Sequence, residues 1–394
     1  MFIEIILFLI LGILAGTFAG LLPGIHINLI GAILVSVSPT ILSSVNATSL
    51  VAFVVAMAIS QTFVDFIPSI FLGCPDTDTE LSVLPGHEML KNGEGYQAIL
   101  LTCYGGLTAI VILIIFSFPA IWIVPKIYNF LETFIPYLLI AIVILLVSFE
   151  KNKFSSLVVV LLSGFLGLSV LNMQVKEPLL PLLTGLFGSS TLILSIKNKI
   201  KLMKQKITKP EINIFKPLLG TLIASPLCGF LPGLGSGQAA IIGNMISKTD
   251  KKGFLVMLGA TNTLVMSLSF IALYAISKTR TGAAVAIQKI AGSISLNLLI
   301  FILAIILVAG VISFFLTIFL AKFFSQKITK INYSLLSIIT LIFVSIIVFV
   351  ISGIFGFVIL VVSTLTGIYC ISLKVRRTNM MGCLLIPTII LYLF

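Results

Sequence analysis

The chain has 394 residues, of which 59% are hydrophobic and only 9% are charged. A soluble domain carries about 25% charged residues, so this composition excludes an ordinary soluble fold. Uncharged apolar runs longer than the roughly 20 residues that cross a hydrocarbon core recur along the chain and predict an all-α, polytopic membrane protein. The formal net charge of +12 lies in short gaps between apolar runs. The positive-inside rule expects this distribution, so we expect no nucleic-acid partner.

With about 20 residues for each full crossing, the apolar runs predict roughly 10–12 membrane segments. The lipid bilayer is the expected environment, and the expected location is the plasma membrane of a prokaryote. The first run, residues 1–20, is predicted to be a retained membrane segment. It carries Glu4 where a secretory signal peptide would be positively charged, and no clear cleavage site follows.

The first apolar run ends at Pro23-Gly24, a pair that would interrupt a membrane helix. His26 lies just after this break. Its ordinary pKa of about 6.5 suits a proton carrier. The alternative is a histidine that only caps a half-helix.

Residues 60–99 hold the most informative stretch of the first half. Asp65 lies within an apolar run, where a carboxylate is costly and is a functional candidate by default. Further acids and hydroxyls follow at a Gly/Pro break. Carboxylates and carbonyls suit Na⁺ or protons. The predicted cation-coupling residues are Asp65, Asp76, Thr77, Asp78, Thr79 and His26.

This stretch also has structural alternatives. Asp65 could be a carboxylate near a helix end, or one that forms a structural hydrogen bond to Ser60 or Gln61. Downstream, a polar loop with glycine follows three further titratable residues, which are predicted to lie on a solvated face: His87, Glu88 and Glu94.

One motif occurs twice in the chain. GLLPG at 20–24 matches GFLPG at 229–233 at an offset of 209, which predicts a tandem duplication. The basic stretch 197–216 is the predicted linker, and it separates membrane repeat 1–196 from membrane repeat 217–394. A lysine-rich linker is expected on the cytoplasmic side.

The first repeat is predicted to cross the membrane an odd number of times, because the N-terminus is free to face outside. Odd halves form inverted repeats, a common transporter architecture with the substrate near the midplane. In the second half only 31 residues separate Lys216 from Lys248, and Pro232-Gly233 interrupts them. Two half-length helices that meet at the break fit best. The alternative is an ordinary kink between two short helices.

The second half carries a different set of residues at the tip that corresponds to 76–79. DTDT in the first half is replaced by Lys278, Thr279, Arg280 and Thr281. The guanidinium fork of arginine suits carboxylate or phosphate, so an anion site is predicted here. The alternative is a salt bridge between the two tips with no ligand.

The two predicted repeats differ in charge. Residues 1–196 hold ten acids and five lysines, a formal charge of −5, whereas the rest holds two acids and nineteen basic residues, a charge of +17. No acid follows Asp250, so a carboxylate site for a cation belongs mainly to the first half. The five cysteines form no CxxC pair and are predicted to be small hydrophobes. No metal is expected other than Na⁺ at Asp65, Asp76 and Asp78.

Several motifs resemble those of the large membrane subunit of tripartite tricarboxylate transporters, the TctA family. They are the two GxLPG motifs, PDTDTELSVLPGHEMLKNGEGYQAI at 75–99, PLLTGLFGSS at 181–190, ATNT at 260–263 with Asn262, and MMGCLLIPTII at 380–390. The resemblance implies a permease. It adds Asn262 to the predicted substrate-binding residues, which are Pro23, Gly24, Pro232, Gly233, Asn262, Lys278, Thr279, Arg280 and Thr281.

The chain also departs from the family pattern. Pro75-Asp76-Thr77 replaces Pro-Gly-Thr, and KTRT replaces the second Pro-Gly loop, so a citrate-like substrate does not follow. Family members work with a small membrane subunit and a periplasmic binding protein. The expected partner besides the anionic substrate is therefore a small membrane subunit or a second copy of the chain, unless the permease works alone.

The favoured function is secondary transport of a small, carboxylate-bearing organic anion, coupled to Na⁺ or H⁺. The alternative is a carrier for a phosphate-bearing, polyprenyl-phosphate-like lipid, since the broken helices would also hold a phosphate. The chain has no HExxH, GxSxG or nucleotide-binding loop, so we expect no enzyme activity. No cofactor is expected besides the coupling ion.

Overall fold

The computed structural model describes residues 2–22, 45–72, 79–131, 134–197, 203–211, 213–230, 235–279, 281–328 and 333–393. Within these ranges all regular secondary structure is helical, which confirms the all-α prediction. Several predicted site residues lie outside the described ranges: Pro23, Gly24, His26, Asp76, Thr77, Asp78, Pro232, Gly233 and Arg280.

The first half contains nine helices and two irregular turns in its described residues. The helices are α1 (Phe2–Leu21), α2 (Ala47–Val64), α3 (Phe66–Leu72), α4 (Val83–Lys91), α5 (Gly95–Leu131), α6 (Ile135–Ser148), α7 (Lys153–Leu171), α8 (Leu179–Leu183) and α9 (Ser190–Lys197). A 3₁₀ turn, Glu80–Ser82, precedes α4, and a π-helical turn, Thr184–Ser189, joins α8 to α9.

The second half contains seven helices in its described residues. Its described helices are α10 (Phe215–Phe230), α11 (Ser236–Ser247), α12 (Lys251–Ile276), α13 (Gly282–Ala291), α14 (Leu296–Ile328), α15 (Tyr333–Ser372) and α16 (Gly382–Leu393). A 3₁₀ turn, Arg377–Met381, leads into α16.

The described helices include seven that are long and apolar enough to cross a membrane, and four shorter apolar helices of 10–17 residues accompany them. The chain is therefore a polytopic membrane protein. Helix α15 counts once among the seven, although Gly353 interrupts it with φ 68° and ψ −165°. This positive φ suits glycine.

Short helices flank the second Pro-Gly motif. Helix α10 has 16 residues and α11 has 12, on either side of the undescribed residues 231–234. These lengths agree with the predicted pair of half-length helices. The first half differs, because α1 has 20 residues and is long enough for a full crossing.

Contacts between the halves are reciprocal. Helix α5, the long helix after the tip of the first half, packs on α12, which precedes the tip of the second half. Helix α14, the long helix after the second tip, packs on α2, which precedes the first tip. Likewise, α4 contacts α12, and α13 contacts α2. Near the end of each half, α7 contacts α16, and α15 contacts α8 and α9. Self-complementary contacts of this kind arise when two similar units are related by a twofold axis. The inverted repeat itself stays a prediction.

Helices α5 and α12 cross at two glycines. A Cβ atom on Gly105 would lie 2.0 Å from the carbonyl oxygen of Val256, and one on Gly259 would lie 2.0 Å from that of Thr102. Neither position has room for a side chain. Lipid supplies no hydrophobic drive between helices, so this close backbone approach is a main source of their association.

We predict that Gly259→Ala destabilises the protein strongly. The added methyl group meets backbone rather than a movable side chain, and overpacking of this kind costs about 1–3 kcal/mol. The matched control is Gly229→Ala, whose Cβ would meet only the side chain of Leu268 at 3.4 Å. Thermal unfolding of detergent-solubilised protein should show a midpoint several degrees lower for Gly259→Ala. Equal midpoints for the two variants would contradict the tight crossing.

Candidate functional site

A buried carboxylate marks the junction between α2 and α3. Asp65 separates the two helices and is only 6% exposed. Its backbone is right-handed helical, and its N–H donates to the carbonyl of Gln61 at 3.0 Å, so α2 and α3 together form one apolar span, Ala47–Leu72. Asp65 is therefore a buried carboxylate within a membrane span, which makes it a functional candidate.

An amide from the other half of the chain contacts this carboxylate. Asn262 of α12 is 3% exposed, and its Nδ2 donates to Asp65 Oδ2 at 3.0 Å. The same Nδ2 lies 3.3 Å from the carbonyl oxygen of Thr62. Burying a carboxylate is costly, and a hydrogen bond to a charged group offsets about 1.5–3 kcal/mol of that cost.

Two hydroxyls complete this contact. Thr62 Oγ1 and Thr263 Oγ1 are 3.2 Å apart, and Thr62 Oγ1 also donates to the carbonyl of Ile59 at 2.8 Å. A Cβ on Gly106 of α5 would lie 2.9 Å from Thr263 Oγ1, so this glycine makes room for the hydroxyl. We name the set Thr62, Asp65, Asn262 and Thr263 the polar crossing.

The polar crossing joins two sets of residues that the sequence analysis kept apart. Asp65 belongs to the predicted cation-coupling set and Asn262 to the predicted substrate-binding set. Their direct hydrogen bond spans 197 positions of sequence. Sequence reasoning missed Thr62, Thr263 and Gly106, because threonine and glycine are common in membrane helices and carry no signal alone.

Each half also has a serine–threonine pair at its tip. Ser69 Oγ and Thr79 Oγ1 are 2.5 Å apart, and Ser269 Oγ and Thr281 Oγ1 are 2.9 Å apart. Thr281 Oγ1 additionally accepts from the N–H of Ala284 at 3.2 Å and caps the start of α13. Both predicted site threonines therefore hold the start of the segment that follows the tip.

The second tip is only partly described. Residues 277–279 are non-helical and Lys278 is exposed, so the break predicted at KTRT is present. Lys278 Nζ lies 5.9 Å from the centre of the Tyr128 ring, at cation–π distance. Thr279 is half-buried.

The prediction of a solvated face is wrong for His87. Its side chain is 6% exposed, and its Nδ1 lies 3.3 Å from the carbonyl of Ile70. Burial, the charge of Lys91 and the more distant charge of Arg377 lower the His87 pKa to about 4. Glu88 is exposed, as predicted. The error arises because the nine-residue helix α4 buries one of its faces. The polar, glycine-containing sequence resembles a loop, so it does not indicate which residues are buried.

The described residues contain no group of three or more His, Cys, Asp or Glu side chains that could hold a metal ion. The predicted Na⁺ site includes Asp76 and Asp78, which lie outside that part of the chain. Cys103, Cys370 and Cys383 are buried, in agreement with a role as small hydrophobes.

Comparison with known proteins supports the resemblance seen in the motifs. The sequence profile of the tripartite tricarboxylate transporter TctA family matches residues 6–382. The chain is also 32% identical over 355 residues to the uncharacterized protein MJ1079 of Methanocaldococcus jannaschii, which covers 87% of this chain and 88% of that protein. No solved structure matches the chain.

We predict that His87 makes stability depend on pH. Its pKa is about 4 in the folded protein against an ordinary 6.5, so the unfolded chain takes up a proton that the folded chain refuses. The free energy of unfolding should be highest above pH 6.5. It should fall as the pH decreases from 6.5 to about 4, and it should change no further below that. His87→Gln should reduce the drop in thermal midpoint between pH 7.5 and pH 5.

A second variant tests the cause of this dependence. Lys91 lowers the His87 pKa, so Lys91→Gln should bring that pKa closer to its ordinary value and shrink the same drop partially. Wild-type pH dependence in both variants would show that His87 is not the group that titrates.

Proposed function

Since the chain belongs to the tripartite tricarboxylate transporter TctA family, we propose that it is a secondary permease for a small, carboxylate-bearing organic anion, driven by Na⁺ or H⁺. The family is a transporter family, and the helices of the chain suit a multi-pass membrane protein. The coupling ion, the carboxylate class and residence in a prokaryotic plasma membrane are parts of the proposal.

The hydrogen bond from Asn262 to Asp65 is the observation that carries this proposal. It links an acid of the first half to an amide of the second half within the buried core. A proton or Na⁺ that binds Asp65 changes the charge that faces Asn262, and the effect reaches the packing of α2 against α12. Ion binding and the relative position of the halves are thereby coupled through one contact.

The reciprocal packing of the halves supports an alternating-access mechanism. Inverted repeats bind substrate where they meet and expose it to either side by rocking one bundle against the other. In our proposal the tips supply further ligands, from Asp76 to Thr79 for the cation and from Lys278 to Thr281 for the anion. Pro23-Gly24 and Pro232-Gly233 are assigned to helix ends that face the same cavity, and His26 is a second candidate for proton transfer.

Accessory proteins form part of the same proposal. Members of tripartite systems work with other subunits, and a small membrane subunit or a second copy of this chain would find apolar helix surface to pack against. Phe315 and Phe319 of α14 are 65% and 67% exposed. A permease that works alone would present that surface to lipid.

We predict that Asp65→Asn abolishes ion-dependent uptake, because the amide cannot take up a proton or attract Na⁺. Uptake of labelled citrate and succinate into proteoliposomes would be measured with imposed Na⁺ or pH gradients. The matched control is Asp250→Asn, at an exposed N-cap whose Oδ1 accepts from the Gly253 N–H at 2.9 Å. Asparagine caps equally well, so this control should transport like wild type.

Asn262→Ala is the second arm of that experiment. Asn262→Ala alone should impair uptake. Combined with Asp65→Asn, it should reduce uptake little further, because the two side chains act together. If Asp65→Asn and Asn262→Ala both keep wild-type dependence on Na⁺ and pH, coupling does not pass through the polar crossing.

One observation favours the lipid alternative. A cavity of about 220 Å³ between α6 and α11 has an entirely apolar lining, which includes Leu138, Leu145, Ile241 and Met245. An acyl chain fits such a cavity better than a soluble anion does. Exchange of a polyprenyl phosphate between vesicle leaflets, without uptake of any carboxylate, would replace the permease proposal with a lipid carrier.

A further inference from the structure

Two adjacent arginines before α16 have contrasting surroundings. Arg376 is exposed, and its Nε lies 3.5 Å from Glu150 Oε1. Arg377 is half-buried, and its Nη1 donates to Thr191 Oγ1 at 2.6 Å. Within the described ranges no carboxylate lies at ion-pair distance from Arg377. The neighbouring guanidinium is neutralised, whereas this one has a hydroxyl instead of a counter-charge.

Other basic residues interact electrostatically with Arg377. Lys91, at the exposed end of α4, has its pKa lowered by burial and by the charge of Arg377. His87, one turn earlier, also feels the charge of Arg377 after the larger effects of burial and of Lys91. We name His87, Lys91, Thr191 and Arg377 the basic cluster. The positive charges of Lys91 and Arg377 repel each other, and a bound anion would relieve that repulsion.

The acid that acts on Lys91, Glu88, is already engaged in an ion pair. Glu88 raises the pKa of Lys91, the smallest of the effects on that group. Both oxygens of Glu88 accept from Lys251 Nζ, at 2.6 and 2.8 Å. His87 is neutral at physiological pH because its pKa is about 4. In the part of the chain that the structure describes, no carboxylate thus forms an ion pair with Lys91 or Arg377.

Thr191 fixes the orientation of the guanidinium. It is 5% exposed, and its Oγ1 donates to the carbonyl of Phe187 at 2.5 Å. The remaining lone pairs of Oγ1 accept from Arg377 Nη1. A guanidinium has five N–H donors in a planar fork, and one bond to Thr191 leaves edges that match the two oxygens of a carboxylate.

We propose that Arg377, oriented by Thr191 and assisted by Lys91, binds a carboxylate group of an organic anion at a site separate from the polar crossing. This inference rests on the proposed function, and it names a binding site for the same substrate class. The site shares no residue with the polar crossing or with either tip. It assembles α4 and α9 of the first half with the turn before α16 of the second.

The position of the cluster gives the site a role in transport. The segment after Lys91 contacts the basic linker, since Lys206 N–H donates to the carbonyl of Gly93 at 2.7 Å. Gln205 Nε2 donates to the carbonyl of Leu90 at 2.9 Å. The cluster therefore lies at the end of the molecule that carries the linker, which the positive-inside rule places in the cytoplasm. An anion that crosses the membrane meets Arg377 at this face.

The test compares Arg377→Lys with Arg376→Lys. Affinities of purified wild type and both variants for citrate, succinate and inorganic phosphate would be measured by calorimetry. Arg377→Lys should weaken citrate and succinate binding roughly ten- to a hundredfold, because an ammonium keeps the charge but loses the fork. Arg376→Lys is the matched control, and its affinities should stay within about twofold of wild type.

Further variants keep the proposal decidable if Arg377→Lys does not fold. Thr191→Val removes the hydroxyl that orients Arg377 and should weaken binding, whereas Thr191→Ser should restore it. Lys91→Gln, at an exposed position, should lower the affinity severalfold at low ionic strength and reduce its salt dependence.

The possible results distinguish failure of the Arg377 site from failure of the proposed function. Equal carboxylate affinities in wild type, Arg377→Lys and Thr191→Val would overturn the site even if the protein transports carboxylates. Arg377-dependent binding of phosphate alone would show that the ligand class is wrong. Wild-type protein that neither binds nor transports any carboxylate would overturn both this inference and the proposed function, whereas binding without uptake would overturn only the latter.

Discussion

The close crossing of α5 and α12 determines where the two halves of the protein meet. Gly105 and Gly259 let the backbones approach until side chains no longer fit between them. One turn beyond Gly259, Asn262 and Thr263 face α2. They contact Asp65 and Thr62 at its C-terminal end. In lipid, polar side chains need donors and acceptors from other helices. The glycine contact therefore sets the place of the polar crossing.

The Asp65–Asn262 contact has two chemical forms under the proposed function. An ionised carboxylate only accepts hydrogen bonds, so it takes the amide Nδ2, as the structure shows. A protonated carboxyl also donates, and a bound Na⁺ seeks oxygen ligands, so either state favours the amide oxygen. A turn of the amide would change its bond to the Thr62 carbonyl as well. One small group thus has two discrete arrangements, which is what a coupled transport step needs.

Sequence patterns predicted the elements better than their meeting points. Apolar runs predicted the membrane helices, because composition along one helix reflects its surroundings. The correspondence of residues 278–281 with residues 76–79 predicted the tip near Lys278. Asp65 stood out because a carboxylate in an apolar run is costly. The contact with Asn262 was not predictable, since it depends on which helices cross, at which residue, 197 positions apart. The basic cluster was not predictable for the same reason.

The charge difference between the halves acquires a structural meaning in their contacts. Among the described residues, carboxylates of the first half accept from nitrogen donors of the second at Asp65–Asn262, Glu88–Lys251 and Glu150–Arg376. The acid comes from the first half each time, in line with the formal charges of −5 for residues 1–196 and +17 for residues 197–394. Arg377 differs, because it forms no ion pair within the described ranges. Under the proposed function, a carboxylate of the substrate would take the place at Arg377 that an acid of the first half takes at Lys251 and Arg376.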